Sequence, residues 1–202
     1  GLGTNPFNPA LTGRIFLLMA YPVEMTDWTT SIPDSLSGST MLAEVKYNPA
    51  LASELNFTEM FGGYMNGSMG EISALALILG GLYLLWRKVI TWHIPVSILL
   101  TMALFAMGYA IGFGGSLIYE LPLFHLLAGG ALLGAIYMAT DYSTSPMTHK
   151  GMIIYGVGIG VITMVIRLWG AYPEGMSFAI FIMNAATPLI NKYCKPKRFG
   201  TK

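Results

Sequence analysis

Cysteine is almost absent from this chain of 202 residues: Cys194 stands alone. It cannot close an internal disulfide, and it rules out a cluster of thiolate metal ligands within the chain. Charge is scarce as well. Asp, Glu, Lys and Arg make up 10% of the residues, against roughly 25% in soluble domains. That is too little to cover an ordinary water-facing surface. The sequence also shows no paired-carboxylate catalytic pattern, no phosphate-binding glycine loop, no nucleic-acid-binding patch, no signal peptide and no fixed-period repeat.

What the chain has instead is apolar sequence in blocks. Hydrophobic residues make up 54% of the total. They concentrate at about 9–23, 68–86, 91–113, 121–140, 152–170 and 175–190. Several blocks approach the ~20 residues a helix needs to cross hydrocarbon, and the shorter ones fit the ~17-residue lower limit. The pattern predicts an all-α integral membrane protein with about six transmembrane helices. The whole of 1–202 reads as a single membrane domain with one long extracytoplasmic loop at 24–67. The first block is short and follows the proline-rich Asn5-Pro6-Phe7-Asn8-Pro9, and position 1 is Gly1. The chain therefore reads as the C-terminal part of a longer subunit.

The sign of the charges sets the orientation. Lys192, Lys195, Lys197, Arg198 and Lys202 crowd the C-terminal tail. Flanking Lys and Arg mark the cytoplasmic side, so the tail is expected inside. Counting back through six helices also places Arg87, Lys88 and Lys150 inside. That puts eight of the eleven basic residues on one side. Lys46 alone falls in an outer loop, while Arg14 and Arg167 fall within membrane blocks. Of the acids only Asp141 falls inside; Glu24, Asp27, Asp34, Glu44, Glu54, Glu59, Glu71, Glu120 and Glu174 lie at or near the outside. Small residues (Gly80, Gly81, Gly129, Gly130, Gly134, Gly156, Gly158, Gly160) are candidate points of close helix contact, because lipid supplies no hydrophobic drive for helices to associate.

The outer loop holds the most informative segment, Asp34-Ser35-Leu36-Ser37-Gly38-Ser39-Thr40. Asp34 after Pro33 and the run Ser37-Gly38-Ser39 are turn chemistry. They expose Thr40 to a modifying enzyme. A threonine hydroxyl is a weak nucleophile unaided, and no His or Lys neighbours it in sequence, so Thr40 reads as an acceptor rather than a self-modifying group. Beyond it, Met41, Leu42 and Val45, with Leu51, Leu55, Met60 and Phe61, are expected to form short amphipathic stretches along the membrane surface.

The segment from Asp34 to Thr40 resembles the motif read by a flavin transferase, which joins FMN to the threonine through its phosphate. Here Ser39 stands where that motif usually has alanine. The chain as a whole resembles the D subunits of Rnf electron-transport complexes, relatives of the B subunits of sodium-pumping NADH:quinone oxidoreductases. The matching stretches are Asn5-Pro6-Phe7-Asn8-Pro9-Ala10, Gly67-Ser68-Met69-Gly70-Glu71-Ile72-Ser73-Ala74-Leu75-Ala76, Met138-Ala139-Thr140-Asp141 running to Ser145-Pro146, and Tyr172-Pro173-Glu174-Gly175 running to Met183-Asn184 and Pro188-Leu189-Ile190. The resemblance implies a flavin-bearing subunit of an ion-translocating ferredoxin:NAD+ oxidoreductase in a bacterial or archaeal cytoplasmic membrane. Electron flow would be coupled to Na+ or H+ transport. The implied partners are the other Rnf subunits (a second flavin-bearing subunit and iron–sulfur membrane subunits), lipid, and the flavin transferase during maturation. It implies covalent FMN on Thr40, with Asp34, Ser37, Gly38 and Ser39 around it, and riboflavin as a candidate second, non-covalent flavin near Asp141. The competing readings are a quinone-reducing relative and a small-solute transporter or channel.

Several other residues carry open alternatives. Arg14, a charge within a membrane block, either lies near the flavin or its phosphate, or snorkels, or pairs with Glu24 or another helix. Arg167 is expected to snorkel toward Glu174. His125 either relays protons or packs with a hydrogen bond. Asn8, with Asn5 and Asn184, either caps a helix or faces a ligand at a helix break. Asp141 either bounds the second flavin site or simply ends a helix.

Overall fold

The computed structural model describes residues 5–26, 40–48, 56–64, 67–68, 70–113 and 122–195. Among them there is no strand. The elements in chain order are α1 (Pro9–Ala20), α2 (Pro22–Thr26), α3 (Met41–Tyr47), α4 (Phe57–Gly62), α5 (Ala74–Trp86), α6 (His93–Phe113), α7 (Pro122–Leu127), α8 (Ala131–Leu133), a π-helical turn continuing α8 (Gly134–Met138), α9 (His149–Trp169) and α10 (Met176–Tyr193).

Local chemistry sets the helix starts. Asn8 caps α1, its Oδ1 accepting from the N–H groups of Ala10 and Leu11 at 3.1 and 3.3 Å. Pro9 follows at the first helical position, where its missing N–H costs nothing. Ser73 caps α5 through Ala76 N–H at 3.3 Å. Thr148 caps α9 through Gly151 N–H at 3.1 Å.

Among the described residues two helices are long and apolar enough to cross a membrane, His93–Gly112 within α6 and His149–Trp169. At 1.5 Å per residue the second extends about 31 Å, close to the hydrocarbon thickness. Helices α1 and α5 are apolar but shorter. The fourth apolar block, expected as one helix, is broken: α7 stops at Leu127 and α8 starts at Ala131, with Gly129 at φ +64° between them. That left-handed conformation is one glycine adopts without strain.

α6 packs most extensively on α9, and α9 in turn on α10. Glycine permits the first contact. A Cβ on Gly156 would collide with the Ser97 side chain and come within 3.1 Å of the Ile94 carbonyl oxygen. One on Gly160 would meet Thr101 Cβ at 2.7 Å and the Ile98 carbonyl oxygen at 3.1 Å. Two glycines four residues apart on one face thus let the backbones approach, as small residues do between membrane helices. Around this pair Leu11, Ile98, Met102, Ala135, Ile159 and Ile180 form one buried core. A second core joins Leu42 and Val45 of α3, Met60 of α4, and Phe124 and Leu127 of α7 to Leu132 and Ile136. The apolar face of α3, expected along the membrane surface, is buried against protein instead: Leu42 and Val45 are each 1% exposed. The polar interior is sparse. Asn184, fully buried, accepts from the Tyr155 hydroxyl at 2.6 Å.

Replacing Gly160 by valine forces α6 and α9 apart, so Gly160→Val is expected to cost about 1–3 kcal/mol. Gly108→Val, whose Cβ would meet nothing within 4 Å, serves as the control. Unfolding of the purified protein in detergent measures the difference.

Candidate functional site

Thr40 sits at the N-terminus of α3 and is half-buried. Its hydroxyl oxygen accepts from the Ala43 N–H at 3.4 Å, and its carbonyl accepts from the Glu44 N–H at 3.0 Å. Helix α3 has only seven residues, too few to be stable alone, so tertiary contacts fix it. Leu42 and Val45 enter the second core. Lys46 Nζ donates to the carbonyls of Gly170 and Tyr172 at 2.6 and 2.8 Å, and the Tyr47 hydroxyl donates to Ala171 O at 3.4 Å. These carbonyls follow the C-terminus of α9, where unpaired acceptors and the helix dipole favour a cation.

Behind Thr40 lies a cavity of about 70 Å³, lined by Arg14, Ala43, Glu71, Tyr172 and Glu174 together with Thr40 itself. Its charges converge on one guanidinium. Arg14 Nη2 lies 2.7 Å from Glu71 Oε1 and 3.3 Å from Glu174 Oε2. The other oxygen of Glu174, Oε1, accepts from the Gly130 N–H at 2.7 Å. Both carboxylates crowd Gly130: a Cβ there would collide with Glu174 and lie 3.0 Å from Glu71 Oε1. Any side chain at 130 would have to displace one or both carboxylates.

Arg167 serves the other side of the same helix break. It is fully buried and donates to the carbonyls of His125 and Ala128 at 2.6 and 3.0 Å. The C-terminus of α7 therefore receives a cation and the N-terminus of α8 an anion, each matching the local backbone dipole. Arg167 is fully buried, so it does not snorkel to the aqueous boundary as expected. Unpaired carbonyls inside the fold are nearer and need a donor more than the aqueous boundary does.

Arg14 does pair with other elements, but its partners are Glu71 and Glu174 rather than Glu24. The fold also brings together on Arg14 two acids separated by 103 positions in the chain. Sequence reasoning treated Glu71 only as an outer-side charge, and Glu174 as one toward which Arg167 would snorkel. The signal that would have found them is their place inside the matched stretches 67–76 and 172–175, together with an arginine in an apolar block that needed a partner. Asn8 is spent as a helix cap. Asp141 accepts from the Ser143 and Thr144 hydroxyls at 2.9 and 3.0 Å. Neither residue lines the cavity. Asp34, Ser37, Gly38 and Ser39 lie outside the described residues. A larger apolar cavity, about 660 Å³, lies between α5, α6 and α7 and is lined by residues such as Ile78, Leu85, Leu99 and Leu127.

The sequence pattern of the NQR2, RnfD, RnfE family matches residues 1–200. The chain belongs to that family. It is 48% identical over 205 residues to the D subunit of the Na(+)-translocating ferredoxin:NAD(+) oxidoreductase complex of Acetobacterium woodii, covering 99% of this chain and 61% of the relative. It is 43% identical over 212 residues to the D subunit of the proton-translocating ferredoxin:NAD(+) oxidoreductase complex of Clostridium ljungdahlii, covering 100% and 63%. It is 39% identical over 219 residues to the D subunit of the ion-translocating oxidoreductase complex of Ectopseudomonas mendocina, covering 99% and 63%. The chain thus spans less than two thirds of the length of these relatives. Family membership and the apolar helices make this a membrane protein.

The cavity is small for a whole flavin, and a phosphate tethered at Thr40 would share Arg14 with Glu71 and Glu174. Thr40 opens on the cavity and Arg14 supplies a cation within it. The space is about 70 Å³, a few waters' worth. A tricyclic ring would have to lie outside it.

Lys46→Met is expected to loosen α3 by about 1 kcal/mol, the worth of a charged hydrogen bond discounted for solvent. Amide exchange across residues 41–47 should then quicken about fivefold, as hydrogen-exchange mass spectrometry would read.

Proposed function

We propose that the chain is part of a membrane electron-transfer subunit carrying FMN on Thr40 through a phosphodiester, in an Rnf-type ferredoxin:NAD+ oxidoreductase complex that couples electron flow to Na+ or H+ transport. The observation that carries this reading is Thr40 itself. The hydroxyl that ends the transferase-like motif lies at a fixed helix start and opens on a cavity containing an arginine. The names of the relatives favour this reading over the quinone-reducing one.

When bound, the flavin would supply one- and two-electron transfer, linking iron–sulfur donors to other carriers. The chain's own residues do the rest. Lys46 and Tyr47 hold α3 against the end of α9. Leu42 and Val45 exclude water from beneath it. Arg14 offers positive charge near the point of attachment, and Glu71 and Glu174 keep that guanidinium in place.

In this proposal the six apolar blocks cross a cytoplasmic membrane, with the 24–67 loop outside and the C-terminus inside. Partners are the remaining Rnf subunits, including a second flavin-bearing subunit and iron–sulfur membrane subunits, and the flavin transferase. Asp34, Ser37, Gly38 and Ser39 belong to the sequence motif that the transferase reads, and riboflavin near Asp141 is the second-flavin assignment.

Protein made with the flavin transferase should give a fluorescent band after denaturing electrophoresis, and Thr40→Ala should abolish it. The mass of the Thr40 peptide should rise by that of an FMN residue. A bare peptide from the native host overturns the assignment. Cys194, the only thiol, should react with an impermeant maleimide in inverted vesicles and not in right-side-out ones.

A further inference from the structure

Helices α5 and α6 are joined by residues 87–92 alone, yet they scarcely touch. They splay from that turn, and the apolar cavity of about 660 Å³ fills the wedge between them. Ile78, Leu82 and Leu85 all face it, so it runs about 10 Å along α5 at 1.5 Å per residue. Leu85 and Ile90 line the end at the turn. Phe57 and Phe61 of α4 line the opposite end, because α4 ends against Ser73 at the start of α5. Leu82, Val96 and Leu123 stay half-exposed on the rim, so the cavity is open at the side of the helices. Among the described residues, Thr58 is the one polar side chain in its lining. An apolar space of this kind stays dry and takes hydrocarbon. A flavin ring, with its row of hydrogen-bonding atoms, would find no partners there. A further helix is also too thick: over 10 Å, a helix ~10–12 Å across fills roughly 800–1,100 Å³.

The turn beside the cavity carries the opposite chemistry. Arg87 and Lys88 are both exposed, and no carboxylate among the described residues pairs with either. Each lies two residues from a lining side chain, Arg87 from Leu85 and Lys88 from Ile90. Trp86 and Trp92, both exposed, flank the pair. Exposed tryptophans mark the headgroup layer around a membrane protein, which puts the two cations at the depth of lipid phosphates. Lys88 is also the one described residue other than glycine at positive φ, +56°. It ends α5 in the left-handed position that glycine usually fills, with the Val89 N–H donating back to the Leu84 carbonyl at 3.0 Å. Lysine holds that conformation only with backbone strain. What the position gains is a charge at the mouth of the cavity.

We infer that the wedge between α5 and α6 binds an anionic phospholipid, with its phosphate on Arg87 and Lys88 and one acyl chain in the cavity. Charge selects the class: two cations without an acidic partner favour a headgroup of net negative charge over a zwitterionic one. The direction of the chain follows as well. From a phosphate at the turn, an acyl chain runs along α5 toward Phe57 and Phe61, parallel to the chains of its own leaflet. The site draws on neither Thr40 nor a flavin, so it stands or falls apart from the functional reading above.

Photolabelling of the purified complex, containing the full-length subunit, tests this. The complex is reconstituted into vesicles of phosphatidylglycerol and phosphatidylcholine in equal amounts, with a diazirine in the acyl chain of one lipid or the other. Phosphatidylglycerol should label α5 and the first turns of α6 more heavily than phosphatidylcholine. Arg87→Gln and Lys88→Gly should each cut that preference about fivefold. Lys88→Gly should do so without lowering the melting temperature, since glycine takes a positive φ freely; a lysine that merely closed the turn would leave the preference intact. Leu82→Trp, a change on the exposed rim, should fill the cavity and reduce labelling there by both lipids. Equal labelling by the two lipids, a preference that survives both charge variants, or no lipid label on these helices because another polypeptide covers the cavity overturns the inference.

Discussion

The bifurcated engagement of Glu174 is the constraint on which this end of the molecule depends. One oxygen holds the Gly130 N–H at the start of α8 and the other meets Arg14 of α1. A helix that breaks inside an apolar fold exposes backbone groups that lipid cannot satisfy. Here the break is tolerated because Glu174 answers the N–H side and Arg167 the carbonyl side. Leaving one such buried group unpaired costs about 1–3 kcal/mol. The sign of each cap also matches the dipole it faces, so the arrangement could not be reversed by exchanging the charges.

From that break the rest of the site follows. Gly129 turns the chain, and Gly130 leaves room for two carboxylates. Leu42 of α3 packs beside Gly129, where an added Cβ would lie 3.1 Å from it. The position of Thr40 is therefore set by a glycine pair on a distant segment and by lysine contacts to the end of α9. Each contact is modest. Together they fix a helix that has no independent stability.

Much of the fold was legible because apolar block length and cap chemistry are local properties. Ser73 and Thr148 open helices where small hydroxyl residues precede apolar runs, and α6 and α9 follow the apolar runs closely. The glycines at 156 and 160 announced a close contact, though not that Ser97 and Thr101 would receive it. The interruption at 128–130 was not legible, since hydropathy averages over three small residues without registering a turn. The face of α3 was misjudged for a related reason: an amphipathic heptapeptide looks the same whether its apolar side meets lipid or protein. At the site, Thr40 and Arg14 could be singled out from sequence as candidates. Their association with Glu71 and Glu174 could not, because pairing across the fold leaves no mark at either position alone. Asn8 shows the converse. It carried two readings, a helix cap or a ligand contact, and the cap is what the fold uses, through the N–H groups two and three residues on.

The pinning of α3 has a mechanical consequence. Lys46 and Tyr47 clamp one end of the helix to the carbonyls beyond α9, and Thr40 occupies the opposite end. Anything suspended from that residue pivots about the few torsions of one short side chain, with no swinging arm of backbone behind it. Such a leash confines its cargo to a small arc around a stationary anchor, so exchange with a distant donor would require the donor to travel.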